Sequence, residues 1–242
     1  MNTLHRVVVA TTFVTLFLAP IARAAGSPPR LHGVHFIYLI RHGAYDRDTV
    51  QADDRIGGAL NALGHDQGKL IGERLASLPV RFHALATSDF TRARETANDI
   101  GVILHMTPMQ DSLIHECTPT ADRDDYMKNH SPANIAVCDA NLQAAWAKYF
   151  KPTPDGDTHD LLVSHGNAIR WMVAKALGMD IRAWSHFDIA NASLTVINIR
   201  ADGSMRLAMF SDVGHLPVNK QAWSGMGGGW QPPPGVGAGA MK

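Results

Sequence analysis

The sequence predicts an α/β fold, a three-layer α/β/α sandwich with a mainly parallel sheet. Short apolar runs typical of buried strands alternate with segments whose apolar residues recur at helical spacing. The chain has 242 residues. At ~100–200 residues per domain, this length suggests one domain, possibly two, with a large core. Hydrophobic residues make up 45% and charged residues 18%, a balance that excludes wholesale disorder.

The first 24 residues have the pattern of a secretory signal peptide. A short positive start at His5 and Arg6 precedes an apolar stretch over 7–19, and Ala22-Arg23-Ala24 places small residues at a cleavage site. We therefore predict a signal peptide over 1–24 and an exported protein, periplasmic or secreted. The open alternative is a retained membrane anchor, although the apolar stretch is short for a spanning helix.

The rest of the chain divides by composition into three parts. Residues 25–33 are predicted as a lead-in, 34–220 as the main domain, and the Gly- and Pro-rich segment 221–242 as a disordered tail. The mature chain shows no stretch long enough for a stable membrane span. Lys+Arg and Asp+Glu are 22 each, so no overall basic field is present to bind nucleic acid.

Apolar runs predict the strands of the main domain. Strands are expected over 35–40, 84–86, 161–163, 194–199 and 205–210, with a weak strand or strand end at 113–114. The first and the 161–163 run are almost entirely apolar, as in strands buried on both faces of a parallel sheet. The last two flank Asp202-Gly203, which predicts a β-hairpin.

Helical spacing of apolar residues predicts the helices. They are expected over 63–78, 91–104, 142–150 and 169–177. Pro79 ends the first helix, and Gly178 is a fitting C-terminal cap for the last. The segments 44–62 and 118–136 are polar and irregular and are predicted as loops.

Two of the predicted strands end in a histidine. His42 follows the strand over 35–40, and His165 follows the strand over 161–163. Because ligands of an open α/β sheet bind beyond the carboxyl ends of its strands, we expect both histidines at one ligand-binding edge. A single histidine at a strand end is more often structural than catalytic, so the interpretation depends on what accompanies it.

Two arginines accompany these histidines. Arg41 precedes His42, and Arg92 falls in the first turn of the helix over 91–104, where free N–H groups attract anions. Two guanidinium groups and helix ends suit a doubly negative, tetrahedral group, and a phosphoryl group fits best. Arg94 is not expected in the same site, because residues i and i+2 point to different helix faces.

A neutral imidazole can attack phosphorus and become phosphohistidine, while a carboxylic acid protonates the departing oxygen. Glu116 is the natural candidate for this acid. Adjacent residues of a strand face opposite sides, so only one of His115 and Glu116 should enter the site, and we expect Glu116. No histidine or cysteine spacing is typical of a metal site. Cys117 and Cys138 are either a disulfide or two buried thiols.

Four segments share their order and spacing with a known family. They are Leu39-Ile40-Arg41-His42-Gly43, Leu63-Gly64-His65-Asp66-Gln67-Gly68, Thr87-Ser88-Asp89-Phe90-Thr91-Arg92-Ala93-Arg94-Glu95-Thr96-Ala97 and Val163-Ser164-His165-Gly166-Asn167. Over 36–220 the chain resembles the histidine phosphatase, or phosphoglycerate mutase-like, superfamily. Within it, the segments 74–78, 113–119, 167–170 and 212–217 resemble the mitochondrial phosphoglycerate mutase-like serine/threonine protein phosphatases.

The resemblance implies a phosphoglycerate mutase-like fold and a histidine phosphatase domain over 34–220. It implies that His42 is the phosphorylated nucleophile and that Glu116 is the general acid and base. It places Arg41, Arg92, His165 and Gly166 around the phosphoryl group, and a cationic His165 would favour binding of a dianion.

The implied activity is hydrolysis of phosphate monoesters, on a small molecule or a phosphoprotein, with no metal and no other cofactor. The alternatives are a non-catalytic protein that binds phosphorylated ligands and a phosphoglycerate-type mutase. Both His42 and Glu116 are present, which favours catalysis over binding alone.

Overall fold

A computed structural model describes residues 33–46, 53, 55, 57–153 and 155–223. The predicted signal peptide over 1–24, nearly all of the lead-in over 25–33 and most of the tail over 221–242 lie outside these residues.

Six strands form one sheet. They are β1 (Val34–Arg41), β2 (Ala84–Thr87), β3 (Met109–Gln110), β4 (Thr158–Ser164), β5 (Leu194–Arg200) and β6 (Met205–Asp212), in the order β3-β2-β4-β1-β5-β6. The pairs β1–β4, β4–β2 and β2–β3 are parallel, whereas β5 is antiparallel to β1 and β6 is antiparallel to β5. The prediction of a mainly parallel sheet is confirmed.

Helices cover both faces of this sheet. They are α1 (Ala62–Ala76), α2 (Thr91–Leu104), α3 (Asp124–Met127), α4 (Pro132–Tyr149) and α5 (Gly166–Ala176). The side chains of β1 alternate between two cores, as the period of a strand requires. Ile37 and Leu39 join a core with residues of α4 and α5, while Tyr38 and Ile40 join a core with residues of α1 and α2. The three-layer α/β/α prediction is therefore confirmed.

Capping interactions set two element ends that apolar spacing did not predict. The segment 113–114 is not a strand; it belongs to a 3₁₀ turn, Ser112–Ile114, because the Asp111 side chain accepts a hydrogen bond from the Leu113 N–H and turns the chain. Helix α4 begins well before residue 142, because the Ser131 side chain caps it and a proline follows at the first turn. Its early residues are mostly exposed, so they leave no apolar pattern to detect.

Two glycines bring the end of β1 against the start of α1. A Cβ atom at Gly43 would lie 2.6 Å from the carbonyl oxygen of Gly64, and a Cβ atom at Gly64 would lie 2.1 Å from that of Ala44. No side chain fits between these backbones. The segment that follows β1 is therefore held at a fixed position beside the first turn of α1.

Candidate active site

His42 lies at the carboxyl end of β1, where hydrogen bonds of its backbone hold it in place. Its N–H donates to the Ser164 carbonyl at 3.0 Å, and its carbonyl accepts from the Ala192 N–H at 3.1 Å. The ring nitrogen Nδ1 lies 2.8 Å from the Gly43 carbonyl oxygen. A carbonyl can only accept, so Nδ1 carries the proton and Nε2 keeps its lone pair.

The His42 ring is neutral at neutral pH. Burial, and after it the positive charges of Arg92 and Arg41, lowers the pKa of His42 well below its usual value. A neutral imidazole with a free lone pair on Nε2 is the form that can attack an electrophile.

His165 lies at the end of β4, beside His42. The two ring centroids are 5.0 Å apart, and His165 Nε2 lies 2.8 Å from the Ser88 hydroxyl. Burial and Arg92 lower the pKa of His165 well below its usual value. The expectation of a cationic His165 is therefore wrong, because a fully buried ring next to two arginines stays neutral.

Arg41 and Arg92 both line a cavity of about 250 Å³ together with His42 and Glu116. The Arg41 side chain donates to the Ile189 carbonyl at 2.6 Å, and burial lowers the pKa of Arg41 only to about 10, so it remains cationic. The other lining residues are Tyr45, Thr118, Tyr126, His130, Gly166, Asn167, Arg170 and Ile189.

Glu116 is the acid that faces this cavity. Its Oε1 atom is buried, and within 57–153 and the other described ranges no hydrogen-bond partner reaches it. Burial raises the pKa of the Glu116 carboxyl above its ordinary value, although Arg92 opposes the shift. His115 faces elsewhere: its Nδ1 lies 3.4 Å from Asp89, and its ring stacks on Phe90.

Sequence reasoning missed a third guanidinium group at the cavity, that of Arg170. Its Nε donates to the Gly166 carbonyl at 3.2 Å, and its other nitrogens donate to the Phe187 carbonyl and to Asn167 Oδ1. Arg170 and Asn167, which also lines the cavity, are three positions apart in α5, so they share a helix face. This spacing, counted from a helix start at Gly166, is the sequence signal that could have identified Arg170.

Arg94 lies outside the cavity lining, as its helix position predicts. Its guanidinium donates to the Arg55 carbonyl at 2.8 Å and to the Thr91 hydroxyl at 3.1 Å. Arg92 therefore lines the cavity and Arg94 does not, although both are in α2 and carry the same charge.

The described residues contain neither a metal-ligand cluster nor a membrane-spanning helix. No group of three or more His, Cys, Asp or Glu side chains there is arranged to hold a metal ion. No helix in the same part of the chain has the length and apolar character to cross a bilayer.

The buried neutral histidines predict a loss of stability in acid. In the folded protein, burial and then Arg74 lower the pKa of His215 from 6.5 to about 4, and the shifts of His42 and His165 are also downward. As pH falls below about 6.5, the unfolded chain therefore binds more protons than the folded chain. We expect the free energy of unfolding, measured with urea, to fall progressively between pH 6.5 and 4.

The variant His215→Gln tests the contribution of one histidine to this acid sensitivity. Glutamine can still accept a hydrogen bond from Arg74, whose guanidinium lies 3.2 Å from His215 Nδ1, but it does not titrate. The slope of unfolding free energy against pH should become shallower in the variant over this range. An unchanged slope would contradict the assignment.

The sequence of the domain matches one protein-family model over most of its length. Residues 37–119 and 134–212 match the model described as the histidine phosphatase superfamily, branch 1. The chain belongs to this superfamily. The matched ranges of the chain include His42, Arg92, Glu116 and His165.

The chain is similar to curated proteins that are named as protein phosphatases. The chain is 34% identical over 191 residues to serine/threonine-protein phosphatase Pgam5, mitochondrial, of Caenorhabditis elegans, with 76% of this chain and 65% of the relative covered. It is 30% identical over 190 residues to the Homo sapiens protein of that name, with 76% and 64% covered. The chain thus spans about two thirds of the length of these relatives.

Solved structures of the superfamily show the same fold. The phosphoglycerate mutase of Plasmodium falciparum aligns with a TM-score of 0.54 at 25% identity, covering 76% of this chain and 95% of that one. A putative α-ribazole-5′-P phosphatase of Escherichia coli aligns with a TM-score of 0.59 at 19% identity, covering 74% and 96%. The phosphoglycerate mutase-like fold prediction is confirmed.

The prediction of a periplasmic or secreted protein is contradicted by the curated relatives and is wrong. These relatives are named as mitochondrial proteins. A positive start and an apolar run indicate only a segment that a targeting system can recognise, so they do not decide the compartment.

Proposed function

We propose that the domain over 34–220 hydrolyses phosphate monoesters through a phosphohistidine formed on His42, with Glu116 as general acid and base. One observation carries the proposal: the neutral His42, whose Nε2 keeps its lone pair, lines the same cavity as three guanidinium groups and a carboxyl group of raised pKa. Membership of the histidine phosphatase superfamily supports it.

In the first step, His42 Nε2 attacks the substrate phosphorus, and the bond between phosphorus and the ester oxygen breaks. Arg41 and Arg92 stabilise the charge on the equatorial oxygens, and the backbone N–H groups at the start of α5, near Gly166, add donors. His165 is neutral, so it contributes a ring nitrogen, and not a positive charge, to binding of the phosphoryl group. Glu116 protonates the departing oxygen, and its raised pKa favours the protonated form that this role requires.

In the second step, a water molecule loses a proton to Glu116 and attacks the phosphohistidine. The bond between phosphorus and Nε2 breaks, phosphate leaves, and His42 regains its lone pair. Glu116 is then protonated again, so the cycle is balanced. Positioning and fixed positive charge supply the catalysis that phosphoryl transfer needs.

The substrate is proposed to be a phosphorylated serine or threonine side chain, or a small phosphate ester of similar chemistry. The names of the curated relatives support the first of these. We further propose that no metal takes part, because Arg41, Arg92 and Arg170 place positive charge where the phosphoryl group would bind.

Hydrolysis of 4-nitrophenyl phosphate tests this function. We expect release of one phosphate for each phenolate, at the same rate with and without EDTA. Inhibition by EDTA that Mg²⁺ reverses would contradict metal independence. Binding of phosphate without turnover would instead favour a non-catalytic protein, and transfer of the phosphoryl group to an added sugar acid would favour a mutase.

A further inference from the structure

We infer that the disulfide between Cys117 and Cys138 positions the Glu116 carboxyl group for proton donation to the leaving group. The inference rests on the proposed function. The sequence left open whether these cysteines pair; in the structure they are bonded, with their Cα atoms 5.7 Å apart. Cys117 directly follows Glu116, so the covalent link begins one residue from the proposed acid.

The segment that carries Glu116 has no regular secondary structure of its own. It follows the 3₁₀ turn Ser112–Ile114, and His115 at the end of this turn is extended. Hydrogen bonds hold its backbone on both sides of Glu116: the Ser164 hydroxyl donates to the Ile114 carbonyl at 2.7 Å, and the Asn167 side chain donates to the Cys117 carbonyl at 2.9 Å. Further along, the Thr120 N–H donates to Asp139 of α4 at 3.0 Å. The disulfide adds the covalent attachment to α4.

Cys138 gives α4 its covalent link to the Glu116 segment, beside hydrogen bonds that join α4 to Asp111 before this segment and to Thr120 after it. The buried residues of α4 are Cys138, Leu142 and Ala145, so Cys138 is the first position of α4 that lies in the core. The residues before it are exposed or partly exposed, and Val137 keeps 60% of its surface accessible. Through Cys138, the disulfide therefore connects the Glu116 segment to the packed part of the helix.

The disulfide also forms part of a second cavity beside the first. This cavity, of about 420 Å³, is lined by Cys117 and Cys138 and shares Glu116, Thr118 and His130 with the catalytic cavity. A leaving group that takes a proton from Glu116 would lie beside the residues that the two cavities share. Cys138 is buried and Cys117 is partly exposed, so a small dithiol would approach the disulfide from the side of Cys117.

Reduction by a dithiol would remove the link without changing the protein sequence. A thiolate of the reagent attacks one sulfur to give a mixed disulfide, and the second thiol then displaces the protein sulfur. The reagent becomes a cyclic disulfide, and Cys117 and Cys138 each gain one electron and one proton. The reduced segment keeps its hydrogen bonds but loses the covalent attachment to α4 beside Glu116. Proton donation then weakens, because its efficiency depends on alignment.

Two substrates separate acid positioning from general stability. Phosphoserine releases an alkoxide that needs a proton, whereas 4-nitrophenyl phosphate releases a phenolate that leaves without one. For the double variant Cys117→Ala/Cys138→Ala, we expect kcat/KM for phosphoserine to fall about 10- to 100-fold, as for a misplaced catalytic group. This ratio covers the steps up to release of the leaving group, so it does not include hydrolysis of the phosphohistidine, in which Glu116 acts for both substrates. The kcat/KM of the double variant for 4-nitrophenyl phosphate should stay close to that of the wild type. Glu116→Gln should lower kcat/KM for phosphoserine more strongly than the double variant does.

Reduction of the folded wild type with dithiothreitol should reproduce the selective loss, and reoxidation should reverse it. Dithiothreitol should have no effect on the double variant, and circular dichroism would confirm that each form is folded. Equal losses on both substrates, or no loss on phosphoserine, would overturn the inference while leaving the phosphatase proposal intact. Absence of turnover on both substrates by the oxidised wild type would overturn the proposed function, and this inference with it.

Discussion

The His42→Ala variant should lose phosphatase activity by about 10⁴- to 10⁶-fold, as when a covalent nucleophile is removed from an enzyme. Alanine has no lone pair to attack phosphorus. The neighbouring His165 directs its Nε2 to the Ser88 hydroxyl at 2.8 Å. Steady-state hydrolysis of 4-nitrophenyl phosphate measures the loss.

Trapping of the intermediate identifies the phosphorylated residue directly. Rapid quenching of the wild type with a ³²P-labelled substrate should give an acid-labile label on the protein, and His42→Ala should give none. The matched control is His65→Ala, because His65 pairs with Asp99 and does not line the cavity. Turnover or labelling that survives in His42→Ala would remove His42 from the mechanism.

Loss of Arg92 should have the next largest effect. Its guanidinium lies over the rings of Tyr45 and Phe90, at 4.8 and 5.2 Å from their centroids, so its position over the cavity is well defined. We expect Arg92→Ala to lower kcat by about 10²- to 10³-fold, or ~2.7–4 kcal/mol of barrier, the usual cost of removing a donor to transition-state charge. Arg92→Lys should recover only part of this, because an ammonium cannot bind two oxygens in a fork.

The matched control for Arg92→Ala is Arg94→Ala. It removes the same charge from the same helix, but from a side chain that hydrogen-bonds to Arg55 and Thr91 outside the cavity. Its kcat should stay near that of the wild type. Equal losses of kcat in the two variants would show that activity depends on the overall charge, and not on the Arg92 guanidinium that faces the phosphoryl group.

The sequence was most informative where a predicted buried strand ended at a residue that can take part in catalysis. The apolar runs before His42 and His165 predict two parallel strands, and a parallel sheet brings their ends together without further information. The bounds of α2 were also predictable, because its apolar side chains repeat at helical spacing toward the core. Local periodicity therefore accounts for five of the six described strands, for the layers and for the edge that carries the cavity, but not for the two-residue strand β3.

The features that the sequence did not predict depend on single side chains or on contacts between distant segments. The hydrogen bond from Leu113 to Asp111 decides between a strand and a turn, and periodicity does not detect it. Arg170 reaches the cavity only because α5 begins at Gly166, a boundary that sequence patterns fix poorly. The charge state of His165 likewise depends on burial beside arginines from other elements.

The backbone around His42 is completed by the last third of the fold. Its carbonyl accepts hydrogen bonds from the Ala192 N–H and from the side chain of Asn191, which lies 149 residues further along the chain. During synthesis, which runs from the N-terminus, the proposed nucleophile is therefore made early and receives these contacts late. A nascent or truncated chain that ends before Asn191 lacks both of these contacts. Under the proposed mechanism, the nucleophile is therefore fully held only after the chain has been extended through Ala192.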